Sequence, residues 1–233
     1  MKALLVVVLL LLGLLVVADR VAVGYAEDQV ATQVAEKGGL QGTPEVDITG
    51  FPFLTQAIGG RYDDVRISLT AAELGQPEGT RADIALHGVQ VPLSAVLSGS
   101  VREVPVERID GTATLSYALL SAQLEGDTTL TREGDGLRIT RTVEILGQTL
   151  PLTAAGQVTL DGNDLVVDVQ QVAGAGVDVP DWLLSRAVDL LDLRYTVPAL
   201  PFGLQLTSVT PADDGVDLGL KATDTVLKAT AGE

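Results

Sequence analysis

The chain has 233 residues with 15 basic and 31 acidic side chains, one histidine and no cysteine, for a formal charge of −16. The missing cysteines exclude disulfides, thiol nucleophiles, thiolate zinc sites and iron–sulfur clusters, and one histidine excludes a multi-histidine metal site. The acid excess argues against nucleic-acid binding, which needs lysine and arginine to neutralise phosphates, and nothing in this inventory calls for a cofactor.

Residues 3–18 carry no charge, with only Gly13 interrupting the aliphatics; Lys2 precedes them and Asp19 and Arg20 follow. A helix of that length spans roughly 24 Å, a little short of a ~30 Å hydrocarbon core, and Val21 to Val23 extend it. Position and the positive flank predict a targeting segment. Val16-Val17-Ala18 offers a small-residue cleavage site, which favours removal. The length of the run, continuing into a helix without a break, favours a retained anchor with the chain end inside and the rest outside. The expected division is therefore residues 1–18 as signal or anchor and 19–233 as one exported domain. Its charge is 14 − 31, or −17, because Lys2 stays behind.

From residue 19 to 37, Val23, Ala26, Val30 and Val34 recur at helical spacing, and Gly38-Gly39 supplies the stop. The period then becomes two. Val65, Ile67 and Leu69; Ala82, Ile84 and Leu86; Val104 and Val106; Leu137, Ile139, Val143 and Ile145; Gly156, Val158 and Leu160; Leu165, Val167 and Val169; Leu204 and Leu206; and Val216, Leu218 and Leu220 all alternate with polar neighbours. Gly134-Asp135-Gly136, Asp161-Gly162-Asn163 and Asp213-Asp214-Gly215 separate several of these runs. Such half-polar strands predict antiparallel pairing with one covered face. Short helices are expected over 92–98 and 116–124, and a longer one over 180–193, where Leu183, Leu184, Ala187, Val188, Leu190 and Leu191 form an apolar stripe. The fold class is α+β, an antiparallel sheet covered by helices.

Catalytic motifs are wanting. There is no phosphate-binding GxxxxGK[ST], Gly174-Ala175-Gly176 lacks the third glycine of a dinucleotide loop, and Ser98-Gly99-Ser100 is not a nucleophile elbow. His87 reads as a surface or hydrogen-bonded histidine rather than a catalytic base, and the carboxylates read as solvated faces. Enzyme activity is not expected. The three phenylalanines are more informative, since all lie in two proline-containing segments, Phe51-Pro52-Phe53-Leu54-Thr55-Gln56 and Leu200-Pro201-Phe202-Gly203-Leu204. Either these are core corners, or they form a pocket rim or membrane-touching edge where apolar groups meet acyl chains.

Ile48-Thr49-Gly50-Phe51-Pro52-Phe53-Leu54-Thr55-Gln56, followed by Gly59-Gly60-Arg61-Tyr62, resembles the hallmark of the LmeA family, phospholipid-binding envelope proteins of actinobacteria. Gly88-Val89-Gln90-Val91-Pro92-Leu93-Ser94, Arg108-Ile109-Asp110-Gly111-Thr112-Ala113-Thr114, Leu200-Pro201-Phe202-Gly203-Leu204 and Thr207-Ser208-Val209 are similar to further family blocks, in the expected order. The resemblance implies a non-enzymatic, exported protein of the cell envelope, on the outer (periplasmic) side of the plasma membrane. It would bind phospholipid or glycolipid and support lipid or lipoglycan assembly, linked in mycobacterial members to mannan elongation. An envelope glycosyltransferase is the protein partner such a role would imply. The implied fold is a curved sheet wrapped around the long N-terminal helix and the C-terminal helix, similar to tubular lipid-binding domains of the bactericidal/permeability-increasing type.

On that basis acyl chains would enter an apolar groove, with Phe51, Pro52, Phe53, Leu54, Phe202 and Leu204 lining or guarding its mouth. Buried apolar surface contributes roughly 25 cal/mol per Å², so a partly covered chain could be held by several kcal/mol. Arg61 and Arg194 are candidate head-group partners, with ordinary salt bridges as the competing reading. Two other functions stand against lipid binding: a structural envelope module with a solid core and protein partners, and a weak lipid hydrolase using His87.

Overall fold

The computed structural model describes residues 2–98, 101–124, 128–145, 148–162, 164–174, 193–196, 200 and 203–228. The apolar run and the amphipathic run after it form one uninterrupted helix, α1 (Lys2–Gly38), of 37 residues. It ends where expected, at Gly39 with φ +63. The first half of α1 is exposed, and it is the one described helix long and apolar enough to cross a membrane. Asp19, Val23 and Ala31 are its buried residues, at intervals of four and eight that place them along one helical face.

The other helices are short: α2 (Phe53–Gly59), α3 (Ala71–Leu74), α4 (Leu93–Leu97) and α5 (Tyr117–Gln123). The strands are β1 (Glu45–Thr49), β2 (Arg61–Leu69), β3 (Arg81–Gln90), β4 (Glu103–Ser116), β5 (Thr128–Glu133), β6 (Gly136–Ile145), β7 (Gln148–Asp161), β8 (Asp164–Gly174), β9 (Leu193–Thr196), β10 (Gln205–Pro211) and β11 (Gly215–Lys228). The fold is α+β, as the period-two pattern predicts. The expected single sheet is instead two, one ordered β1-β2-β3-β4-β11-β10 and the other β5-β6-β7-β8-β9. The helix expected over 180–193 lies outside the described residues except Leu193, which begins β9.

The chain divides into two compact units, each assembled from separated stretches of sequence. The first is Met1–Leu69, Asp83–Asp110 and Ala222–Glu233; the second is Thr70–Ala82 and Gly111–Lys221. In the first, the strict alternation of β1 turns Val46 and Ile48 inward, joined in the core by Phe53, Val65, Leu86, Val106 and Ile109. β1 pairs antiparallel with β2, from Glu45 opposite Ser68 to Thr49 opposite Asp64. Glu27 of α1 accepts the Ile48 N–H at 2.9 Å, fixing the helix to this strand.

In the second unit, Leu130, Leu137, Ile139, Leu152, Ala154, Leu165 and Val167 come from the five-stranded sheet. They form one buried cluster with Leu120 of α5 and Val216 and Leu218 of β11. The register pairs Ile139 with Ala154, setting a large side chain opposite a small one. The Ser116 hydroxyl starts α5 by accepting the Leu119 N–H at 3.2 Å, one of the amides a helix start leaves unpaired. Ile139 has no exposed surface. Ile139→Ala is therefore expected to cost about 2–5 kcal/mol, read from a urea titration of the full chain in mild detergent.

Candidate functional site

The hallmark segment builds the corner between β1 and β2 in the first unit. β1 ends at Thr49, and Gly50 follows with φ +104. A side chain at Gly50 would be strained by that backbone and would also run into Gln56, whose amide nitrogen would lie 2.4 Å from its Cβ. The Phe51–Pro52 peptide is cis, and α2 begins at Phe53. Gln56 stitches the corner closed: its Nε2 donates to the Thr49 carbonyl at 3.2 Å and its Oε1 accepts the Asp63 N–H at 2.9 Å. Gly60, with φ +66, ends the helix, and its carbonyl accepts the Val91 N–H at 2.9 Å. A Cβ at Gly60 would sit 3.0 Å from Pro92 Cα. The two family-like blocks around residues 50–62 and 88–94 therefore meet at Gly60.

A third participant comes from α1. The residue before α2 is Pro52, which offers no side-chain cap. Asp19, 1% exposed, takes that role from another helix, accepting the Leu54 N–H at 2.8 Å while Arg20 pairs with its other oxygen at 2.8 Å. Removal from water on its own would raise the Asp19 carboxyl; the amides of Leu54 and Phe53 and the Arg20 guanidinium outweigh it and hold the pKa below the ordinary value. The Arg20 guanidinium also lies 5.2 Å from the centre of the Phe51 ring, within reach of a cation–π contact.

The sequence-predicted rim residues part company here. Phe53 is 5% exposed and packs on Tyr62 with ring centroids 6.1 Å apart, and burial pushes the Tyr62 hydroxyl pKa up. Phe51 is 63% exposed, and Pro52 and Leu54 are half-buried. Pro201 and Phe202 lie outside the described residues, and the half-buried Leu204 belongs to the second unit. Arg61 pairs with Glu107 at 2.9 Å, and Arg194 with Asp164 at 2.7 Å and Asp161 at 3.3 Å. Those carboxylates hold the Arg194 pKa up. All three pairings are solvent-exposed, a setting in which an ion pair contributes little stability.

His87 sits between two carboxylates, its Nδ1 3.4 Å from Asp64 Oδ1 and its Nε2 3.4 Å from Asp110 Oδ2. Asp64 Oδ2 accepts from Arg66 Nε at 3.0 Å and the Thr49 hydroxyl at 3.2 Å, and Arg108 Nε donates to Asp110 at 2.7 Å. This polar network runs across the neighbouring strands β1, β2, β3 and β4. Among the described residues, no cluster of three metal-ligating side chains is found.

The second unit holds a different feature, which sequence patterns alone do not single out. Leu120, Leu124, Leu130, Leu137, Val158, Leu165, Val167 and Val216 line a narrow aliphatic slot partly open to solvent. The cavity itself is about 30 Å³. That would admit roughly two waters, but water needs polar partners that this lining does not supply. Leu120 comes from α5 and Leu124 from the extended residue that ends it.

The family model described as LmeA-like phospholipid-binding matches residues 17–221, and the chain belongs to that family. No curated protein and no solved structure matches.

Two expectations follow. Phe53→Ala is expected to cost about 3–5 kcal/mol by emptying a buried site, whereas Phe51→Ala should stay within about 0.5 kcal/mol, both read by urea unfolding of the full chain. The Asp19 pKa is lowered by folding, so its contribution is complete above the ordinary carboxylate range and lost as pH falls through the depressed value. Hydrogen exchange at the Leu54 amide should therefore show loss of protection in acid, and Asp19→Asn should remove that pH-dependent step.

Proposed function

We propose that this protein is an exported, non-enzymatic phospholipid-binding protein of the cell envelope. It keeps α1 in the plasma membrane and shelters an acyl chain in the aliphatic slot of the second unit. Membership of a phospholipid-binding family, over residues 17–221, is the observation that carries this reading. The slot supports it: eight aliphatic side chains line it, a surface on which a hydrocarbon chain can be buried. Its present width requires Leu120 of α5, and Leu124 just beyond the helix end, to draw back before a chain can enter.

The continuous α1 supports retention over cleavage, since the apolar run and the exported helix share one set of backbone hydrogen bonds. The net charge of −17 from residue 19 onward, 14 − 31, opposes approach to an anionic bilayer at long range. Tethering by α1 removes the need for such an approach. A chain that holds a phospholipid at the membrane would serve lipid or lipoglycan assembly, including the mannan-type assembly associated with such proteins, by presenting lipid to an envelope glycosyltransferase.

Native mass spectrometry of the full chain, released gently from detergent, should show a bound mass of phospholipid size; an empty chain under those conditions would overturn the proposal. Val158→Phe narrows the slot from one wall at a cost of about 1–3 kcal/mol. It should lower the retained lipid several-fold while the chain stays folded, and unchanged occupancy would place the lipid elsewhere.

A further inference from the structure

Two pairs of exposed apolar side chains belong to the first unit near the end of the apolar run, one on α1 and one on the corner that Asp19 holds. Val21 and Tyr25 are 69% and 68% exposed, one turn apart on α1 and on the opposite face from the buried Val23. The stripe they form continues Leu14 and Val17 of the apolar run at helical spacing. Phe51 and Ile58 belong to the hallmark corner, Ile58 being 75% exposed. What fixes that corner relative to the helix is the Asp19 carboxylate on the Leu54 amide at 2.8 Å, with Arg20 over the Phe51 ring. Asp19 directly follows the last uncharged residue, so this contact lies about 1.5 Å of helix rise from the end of the apolar run. The polar interface of a bilayer occupies about 5–7 Å on each side of its hydrocarbon.

We infer that the hallmark corner is a membrane-interface collar. Asp19 holds α2 against α1 at the depth where hydrocarbon gives way to head groups. There Phe51, Ile58 and Val21 dip into the first layer of phospholipid. This rests on the reading that α1 stays in the membrane, and adds a second, separate contact with the same bilayer. The occupant is the phospholipid monolayer rather than a protein, because Val21 continues the stripe of the apolar helix and Asp19 and Arg20 hold Phe51 and the corner at the end of that helix. An aromatic ring beside an arginine suits that depth, with the ring facing acyl chains and the guanidinium facing phosphate. Glu36, seventeen residues along α1 from Asp19 and therefore about 25 Å further out, lies clear of the bilayer.

The chain has no cysteine, so single cysteines carrying a fluorophore can be placed at Leu10, Phe51, Ile58 and Glu36 of the full-length protein. The protein is then reconstituted in phosphatidylcholine vesicles containing nitroxide-labelled lipid. The collar predicts strong quenching at Leu10, loss of fluorescence at Phe51 and Ile58 approaching that at Leu10, and none at Glu36. Asp19→Ala should weaken quenching at Phe51 and Ile58 while leaving Leu10 unchanged. Quenching at Leu10 without quenching at Phe51 and Ile58 would overturn the collar and leave the anchor standing. Absence of quenching at Leu10 would overturn both.

Discussion

The contact on which the first unit depends is the carboxylate of Asp19 accepting the Leu54 amide. A seven-residue helix beginning after proline has no cap of its own, and its unpaired amides would otherwise be a cost in a corner partly screened from water. Supplying the acceptor from α1 solves two problems at once. It completes α2, and it fixes where the corner between β1 and β2 sits along the long helix. Glu27 repeats the arrangement two turns on by accepting the Ile48 amide, so α1 is bound to the sheet by side-chain carboxylates as well as by the apolar face of Val23 and Ala31. Position along α1 is position relative to the end of the apolar run, and this makes one hydrogen bond matter for where the hallmark residues work.

The hallmark sequence makes physical sense in these terms. Gly50 and Gly60 supply the left-handed backbone at each end of α2, Phe53 fills the corner, and Gln56 ties its open side. Val91 and Pro92 complete the packing against Gly60. Most of the segment thus holds the corner together. Of its two phenylalanines, Phe51 alone faces outward, leaving it free for a role that packing does not require.

The sequence pattern revealed the long helix, its glycine stop, most strands, and the helices at 92–98 and 116–124, because apolar periodicity survives wherever one face is covered. It anticipated one sheet where two form, since alternation reports a covered face without saying which strands share it. β1 gives only a weak signal although Val46 and Ile48 alternate correctly, because it is five residues long and runs directly into a glycine–proline segment. α2 was missed for the opposite reason: it is too short to show a period, and its cap lies thirty-five residues upstream. Asp19 itself reads in the sequence as the charged flank of a membrane segment, and only tertiary contact shows it to be buried. Two phenylalanines that look equivalent in sequence, Phe51 and Phe53, are separated by the turn into α2. The aliphatic slot draws on five strands and a helix, a convergence no local pattern announces.

The scarcity of aromatic side chains, 3% of the sequence, suits an interior of branched and unbranched aliphatics that can part around a hydrocarbon chain. The central claim is that lipid is held inside the second unit as well as touched by α1. Its most direct test is photo-crosslinking from a diazirine carried near the end of a phospholipid acyl chain, followed by mapping of the labelled peptides in the full-length protein. The account predicts labelling around Leu120, Leu137, Val158 and Leu165 in addition to residues 3–18. Labelling confined to residues 3–18 would show a chain that only passes through the bilayer and would contradict the account.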